Sequence, residues 1–330
     1  MKKLKLTCAH AIVKHLIAQK ILIDGKKQPL FPGVFGIFGH GNVACLGQAL
    51  EENKDKLPTY RGHHEQNMAL TGVAYSRAKR RKQIFIATSS VGPGSTNLLT
   101  AAAVAMSNRI PILFLPGDTY ANRMPDPVLQ QVEHFNNPGI TANDAFKSVT
   151  RYFDRITRPE QILQSLPQAI QLMIDPADAG PACLSLCQDT QGETFDYPEE
   201  FFKEKIHNIR RPKPDDFEIK KAAEKIKSCK NPIIISGGGV FYSDAMEELG
   251  NFAIKHNIPV TQTVMGYSTM KRDHSHFLGP IGGLGGKAAN NFAKKTDLAI
   301  AVGTKLADFT TGSWANFENP DFGLVSLNIT

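Results

Sequence analysis

The feature that most limits what this chain can become is an alternation: short runs of Ile, Val, Phe and Leu end near glycine and are followed by apolar residues at helical spacing. Val34 to Phe38 runs into Gly39-His40-Gly41-Asn42 and then into a helical pattern from Val43 to Leu50. Thr59-Tyr60-Arg61 passes through Gly62-His63-His64 to a helix predicted from Glu65 to Ala78. Ile84 to Thr88 leads through Gly92-Pro93-Gly94 to a helix predicted from Ser95 to Ser107, and strands follow at Ile112 to Leu115 and Pro181 to Leu186. Strands this uniformly apolar have both faces covered, and strands separated by helices pair in parallel. The predicted fold is therefore α/β, with two doubly wound parallel-sheet domains.

The first domain is expected over residues 1–193, opened by a helix from Thr7 to Gln19 with Thr7 as its N-cap and Ile12, Val13, Leu16 and Ile17 as its apolar stripe. From Thr194 to Asp216 the pattern dissolves into Pro, Lys, Glu and Asp, which reads as a linker over 194–216. A second α/β domain is expected over 217–330. Its helix Phe217 to Lys227 precedes a strand Pro232 to Ser236, the turn Gly237-Gly238-Gly239 and a helix to His256. Strands at Ile258 to Thr263, Leu298 to Val302 and Leu324 to Leu327 complete it, with a helix near Lys287 to Lys295. The last strand ends close to Thr330, which is read as a sign of truncation.

Composition narrows the function classes. A length of 330 residues with 42% hydrophobic content suits two cores. The charge of +7 is scattered in short groups such as Lys79-Arg80-Arg81-Lys82 and Arg210-Arg211-Pro212-Lys213, without the basic and aromatic interleaving of a nucleic-acid binder. The lysines at the start are followed by an apolar stretch broken by His10, Lys14, His15 and Gln19, which does not read as a signal peptide. No apolar run is long enough to span a bilayer, so no membrane role is expected. The odd set of cysteines, Cys8, Cys45, Cys183, Cys187 and Cys229, reads as reduced thiols in a cytoplasmic protein, with Cys183 and Cys187 in the core.

Several motifs then occur in a recognisable order. Tyr60-Arg61-Gly62-His63-His64-Glu65-Gln66-Asn67-Met68-Ala69 is similar to the "HEQ–A" signature of thiamine-diphosphate enzymes such as acetolactate synthase. Thr88 to Asn97 resembles the family's "TSGPGATN" loop with one residue inserted, Ile110 to Asp118 its "IPM–ITG" strand, and Gly180-Pro181-Ala182-Cys183-Leu184 its "GPV" strand. Gly39-His40-Gly41-Asn42 sits where the family has its first glycine turn. The resemblance implies a pyrimidine-binding domain followed by a central Rossmann-like domain, and it covers the whole chain. Within the family, Tyr60 to Asn67, Val91 to Asn97 and Leu129 to His134 look closest to the branch of inositol catabolism that cleaves a C–C bond of a cyclic 1,2-diketone with water.

The chemistry implied explains the residue types. Thiamine diphosphate uses its own aminopyrimidine as the base that activates its thiazolium carbon, so the protein must favour the imino form of that ring. A carboxyl group hydrogen-bonded to the distal ring nitrogen does this by sharing a proton, and it works best where solvation is poor. Glu65, ahead of the small or apolar Met68, Ala69, Gly72, Val73 and Ala74, is the candidate catalytic residue; the alternative is an ordinary acid in a first helical turn. Gly92, Pro93, Gly94 and Asn97 are the candidate cofactor-binding residues, against an ordinary turn with Ser95 as N-cap. His40, His64 and Gln131 are candidates to reach a small-molecule substrate, each with a reading as a packed or solvated side chain beside it.

Two further expectations concern what the sequence does not contain. The resemblance implies Mg²⁺ held by a "GDG" aspartate and a downstream asparagine in a C-terminal diphosphate-binding domain; no Gly-Asp-Gly occurs here, so no metal ligand is named. That domain is expected to be absent from this chain, and the 330 residues alone are expected to be inactive. His63-His64-Glu65 lacks the spacing of a zinc helix. Gly237-Gly238-Gly239 fails the dinucleotide pattern, because Tyr242 stands where its third glycine belongs, and reads as structural. The alternatives are an acetolactate-synthase-like lyase or synthase and a non-catalytic nucleotide-binding protein. The family's site lies between subunits, which implies a homodimer or homotetramer.

Overall fold

The computed structural model describes residues 2–329, and the chain divides into two compact units, Met1–Arg210 and Arg211–Thr330. The central sheet of the first unit has the order Thr59–Arg61, Val34–Gly36, Ile86–Thr88, Leu113–Phe114, Ala182–Cys187, Tyr152–Ile156, with every pair parallel. Gly117–Asp118 continues along the edge used by Leu113–Phe114. The interruption falls at Pro116, which has no N–H to donate, although its carbonyl still accepts from Leu186.

Alternation along the strands directs side chains to two cores. Val34 and Ile86 face a cluster with Ile12 and Leu16 of the helix Cys8–Ile17 and with Leu166 and Ile170 of the helix Ile162–Ile174. Phe35 and Phe85 point the other way and stack with ring centroids 4.7 Å apart. Gly72 lets the helix Glu65–Ala78 press onto that face, because a Cβ there would lie 3.2 Å from both Ile112 and Phe85. The doubly wound arrangement is thus formed as expected.

The predicted linker over 194–216 is corrected. Thr194–Pro198 pairs antiparallel with Lys3–Thr7, and Lys205–His207 pairs parallel with Gln19–Ile23, so residues through Arg210 belong to the first unit rather than stopping at 193. The segment is polar because its strands sit at the surface and carry charged side chains outward, which hides the alternation. Gln19–Ile23 also pairs antiparallel with Lys26–Pro29, forming a small three-stranded sheet beside the first helix. There His15 stacks on Phe201 at 4.0 Å, and His207 bonds Gln19 at 2.9 Å. Burial, helped by the nearby Lys205 charge, pushes both imidazoles down to about 4, although the Phe201 carbonyl opposes this at His15.

Two predicted helices are also corrected. The stretch expected from Val43 to Leu50 begins as a π-turn, Val43–Gly47, and is α-helical only over Gln48–Glu51. The cause lies in Asn42, whose side chain bonds Gly39 N and Thr88 Oγ1 at 3.0 Å each and fixes the start of the turn. The helix expected from Ser95 to Ser107 is split into Pro93–Thr96 and Leu99–Asn108. Ser95 is not its N-cap; Gly92 holds that position.

The second unit is a five-stranded parallel sheet of order Phe277–Pro280, Val260–Gln262, Pro232–Ser236, Leu298–Val302, Gly323–Leu327. Ile234 packs with Leu249 and Ala253 of the helix Met246–His256, whereas Ile233 and Ile235 pack with Ala289 and Ala293 of the helix Lys287–Ala293. The predicted helix from Phe217 is observed as Asp216–Ser228, capped by Asp215. All five cysteines are free; burial raises the thiols of Cys183 and Cys187 in the core strand, with Asp118 adding to it. Among the described residues no helix is long and apolar enough to cross a membrane.

Candidate functional site

In a doubly wound sheet the strand order reverses at one point, and the loops leaving the strand ends on either side of it cannot cover each other. In the first unit that point lies between Val34–Gly36 and Ile86–Thr88. A cavity of about 660 Å³ opens there. Ile37, Phe38 and Gly39 reach it from the first strand, and Ser90, Pro93, Gly94, Thr96 and Asn97 from the second. Glu65, four residues beyond Arg61, and Gln130, from the long loop after Asp118, complete the lining.

Glu65 is half-buried and opens the helix Glu65–Ala78. Asn97 donates from Nδ2 to Glu65 Oε2 at 2.7 Å. Oε1 faces Gly94, where an added Cβ would sit 3.4 Å away. One carboxylate oxygen is therefore held, and the other looks across bare backbone into the cavity. The interruption of the second helix places Asn97 and Leu98 between its two pieces, and the Asn97 side chain leaves there toward Glu65. Gly92 adopts φ +67°, and a Cβ there would lie 1.9 Å from the Gln130 carbonyl oxygen, so only glycine lets the long loop close on this turn.

The remaining expected residues are placed less directly. His64 is exposed at the N-cap, with Nε2 3.4 Å from Asn97 Nδ2. His40 does not line the cavity; its Nε2 is buried without a hydrogen-bond partner. Gln131 is not brought to the cavity, because its side-chain oxygen turns back to accept from Val128 N at 3.0 Å. Its neighbour Gln130 lines the cavity instead, a one-residue difference that no spacing in an irregular loop could reveal.

Sequence reasoning also missed a buried polar network behind the turn. Ser95 donates to Asn143 Oδ1, and Asn143 donates to Gly117 O at 3.0 Å and to Ser185 Oγ at 2.7 Å. Asp118, which the sequence offered only as the end of the strand motif Ile110 to Asp118, accepts from Arg155 Nε at 2.9 Å. Asp144 accepts from Arg155 Nη2 at 2.8 Å; burial works against its charge, but Lys147, the Thr141 N–H and Arg155 hold its carboxyl down at about 2. Among the described residues no group of three or more His, Cys, Asp or Glu side chains is placed to hold a metal ion.

In the second unit, at the corresponding reversal of strand order between Pro232–Ser236 and Leu298–Val302, the glycine turn packs against Gly303. A Cβ on Gly237 would lie 2.3 Å from Gly303 O, and one on Gly239 2.6 Å from Gly303 Cα. Gly239 N donates to Gly303 O at 2.9 Å. These glycines serve backbone contact within the fold.

Residues 20–137 match the N-terminal TPP binding domain of thiamine pyrophosphate enzymes, and residues 219–330 match the central domain of the same enzymes. The chain carries the N-terminal and central domains of thiamine pyrophosphate enzymes. The first match contains Glu65, Gly94 and Asn97, so the cavity falls within the family's cofactor-binding domain. The chain is 48% identical over 330 residues to 3D-(3,5/4)-trihydroxycyclohexane-1,2-dione hydrolase of Clostridium tetani, covering all of this chain and 51% of that protein. It is 47% identical over 329 residues to the enzyme of that name from Listeria monocytogenes, again covering 51% of it. The chain spans about half the length of the curated relatives it matches.

Proposed function

We propose that this chain forms the pyrimidine side of a thiamine diphosphate site in an enzyme that hydrolyses a C–C bond of a cyclic 1,2-diketone, converting trihydroxycyclohexanedione to 5-deoxyglucuronic acid. The observation that carries the proposal is the trio at the cavity: Glu65 with one oxygen held by Asn97 and the other facing Gly94. When bound, the cofactor supplies a nucleophilic carbon that attacks a ketone and accepts the electron pair of the adjacent C–C bond. Glu65 shares a proton with the distal nitrogen of the pyrimidine ring, from the oxygen that Asn97 leaves free. Gly94 permits the flat ring to approach backbone, and Ile37 and Phe38 cover part of the cavity with apolar surface. The wall around Glu65 fits a flat heteroaromatic ring, because it combines the Glu65 carboxyl, the Asn97 amide and backbone left bare at Gly94.

Mg²⁺ belongs to the same proposal as the counter-charge of the diphosphate, with ligands outside the described residues. A homodimer or homotetramer in the cytoplasm is proposed as well, a compartment in which all five free cysteines stay reduced. The substrate is tested by supplying the full-length protein with the cyclic dione and, separately, with pyruvate. Ring opening of the dione with no product from pyruvate is expected. Turnover of pyruvate alone would assign the site to the acetolactate-synthase-like reaction instead.

A further inference from the structure

We infer that Asn143 is a positioning residue for the turn Gly92–Asn97: its amide ties the hydroxyl of Ser95 to the ends of the central strands. Its consequence for the cofactor rests on the function proposed above; the tie itself does not. Ser95 and Asn143 are both buried, Ser95 completely and Asn143 to 1% exposure. Ser95 lies between Gly94, which faces Glu65, and Thr96 and Asn97, the second of which holds Glu65. Whatever fixes Ser95 therefore fixes both neighbours of the carboxyl group.

The proton directions in the network are determined by what each group can give. Asn143 has one acceptor oxygen, taken by the Ser95 hydroxyl, and two amide hydrogens, taken by Gly117 O and Ser185 Oγ. The Ser185 hydroxyl donates in turn to Asp118 Oδ2, and Arg155 donates to that same oxygen. Every polar position of Asn143 is used, and only a primary amide offers this set. An aspartate would keep the acceptor, lose both donors and set a second carboxylate close to Asp118. A leucine would strand the Ser95 hydroxyl and the Gly117 carbonyl in a buried place. Asn143 is itself carried on the short helix Ala142–Ser148, whose capping box of Thr141 and Asp144 is bonded to Arg155. The network thus connects two strand ends and a helix to one hydroxyl beneath the cavity floor, and no other side chain of the turn is tied to the sheet this way.

The test reads the turn first without cofactor. Backbone amide exchange at Thr96, Asn97 and Leu98, which bond Gly92 O, Pro93 O and Ser95 O, is followed in the 330-residue chain. Asn143→Ala and Ser95→Ala are each expected to speed exchange at these three amides at least tenfold, and the double variant no further, because both changes cut one link. Leu166→Ala, a core change on the far helix Ile162–Ile174, serves as a control of comparable destabilisation and is expected to leave these amides slow relative to their neighbours. Exchange in Asn143→Ala equal to wild type, or a loosening no different from that in Leu166→Ala, overturns the inference. In the full-length protein the same variant is expected to bind thiamine diphosphate about tenfold more weakly. A loosened turn with unchanged cofactor affinity upholds the positioning role and sinks the reading of this turn as the pyrimidine wall.

Discussion

The side-chain amide of Asn97 donates to Oε2 of Glu65 at 2.7 Å, joining the break in one helix to the first residue of another. The two residues are 32 positions apart, and the bond closes the strand order's reversal point on one side. It leaves a single carboxylate oxygen, Oε1, facing Gly94 at the cavity. Glutamine at position 65 keeps the volume, and its oxygen can still accept from Asn97, but its amide nitrogen would then face the cavity with hydrogens that it can donate in a bond and cannot transfer.

Glu65→Gln in the full-length protein is therefore expected to retain the fold and most of the cofactor affinity while slowing exchange of the thiazolium proton by about a hundredfold or more. Nuclear magnetic resonance of the cofactor quenched from deuterated buffer measures this rate. Exchange at the wild-type rate would remove Glu65 from the proposed role.

Gly92→Ala tests the close approach of the long loop. A Cβ there meets the Gln130 carbonyl at 1.9 Å while the backbone holds φ +67°. The expected loss is about 2 kcal/mol or more, from left-handed strain and the displaced carbonyl together. Urea unfolding of the 330-residue chain reads it directly, and a change under about 0.5 kcal/mol, typical of neutral surface positions, would show that the loop yields freely.

Acid should weaken the first unit through its two buried histidines. His15 and His207 have folded-state values pushed by burial from 6.5 to about 4, so the unfolded chain binds protons more readily. Their contribution is complete above pH 6.5 and is lost as pH falls toward about 4, at most on the order of 3 kcal/mol for each. Unfolding free energies measured between pH 7.5 and 4.5 should decline, and His15→Gln should flatten part of that slope. A slope unchanged by the substitution would place the proton uptake elsewhere.

Adding NAD(P)H, FAD or ATP is expected to raise the melting temperature of the 330-residue chain little. A nucleotide binding only the folded state would stabilise it by roughly 2.7 kcal/mol at a hundredfold excess over its Kd. At the second unit's crevice Gly237 and Gly239 pack against Gly303, and their N–H groups are already given to Val302 O and Gly303 O. A saturable shift would contradict that account of the glycines.

The 330-residue chain by itself is expected to bind thiamine diphosphate with Mg²⁺ more weakly than millimolar, a threshold near −4.1 kcal/mol, and to show no turnover of the cyclic dione. The pyrimidine ring makes few contacts, and among the described residues no acidic cluster neutralises a diphosphate through a metal. Isothermal calorimetry distinguishes this from micromolar binding, which would require a diphosphate site on this chain.

The alternation of apolar runs and glycine turns determined the two parallel sheets, because a strand covered on both faces must be apolar throughout and its period is carried by the residues themselves. The helix over Glu65–Ala78 and the strand over Pro232–Ser236 were legible to the residue for that reason. Glu65, Gly94 and Asn97 were legible as a motif, and the sheet's reversal point then placed them at one cavity. The tertiary structure alone decided the rest. Thr194–Pro198 is a strand because Lys3–Thr7 lies beside it, a pairing between distant segments with polar outer faces and no local signal. Gln130 rather than Gln131 lines the cavity because a loop's side-chain directions depend on what it packs against, here Gly92. Asn143 gained its place from Ser95, Gly117 and Ser185, three partners far away in sequence, and a buried polar network of that kind is defined only when the fold brings donors and acceptors within reach.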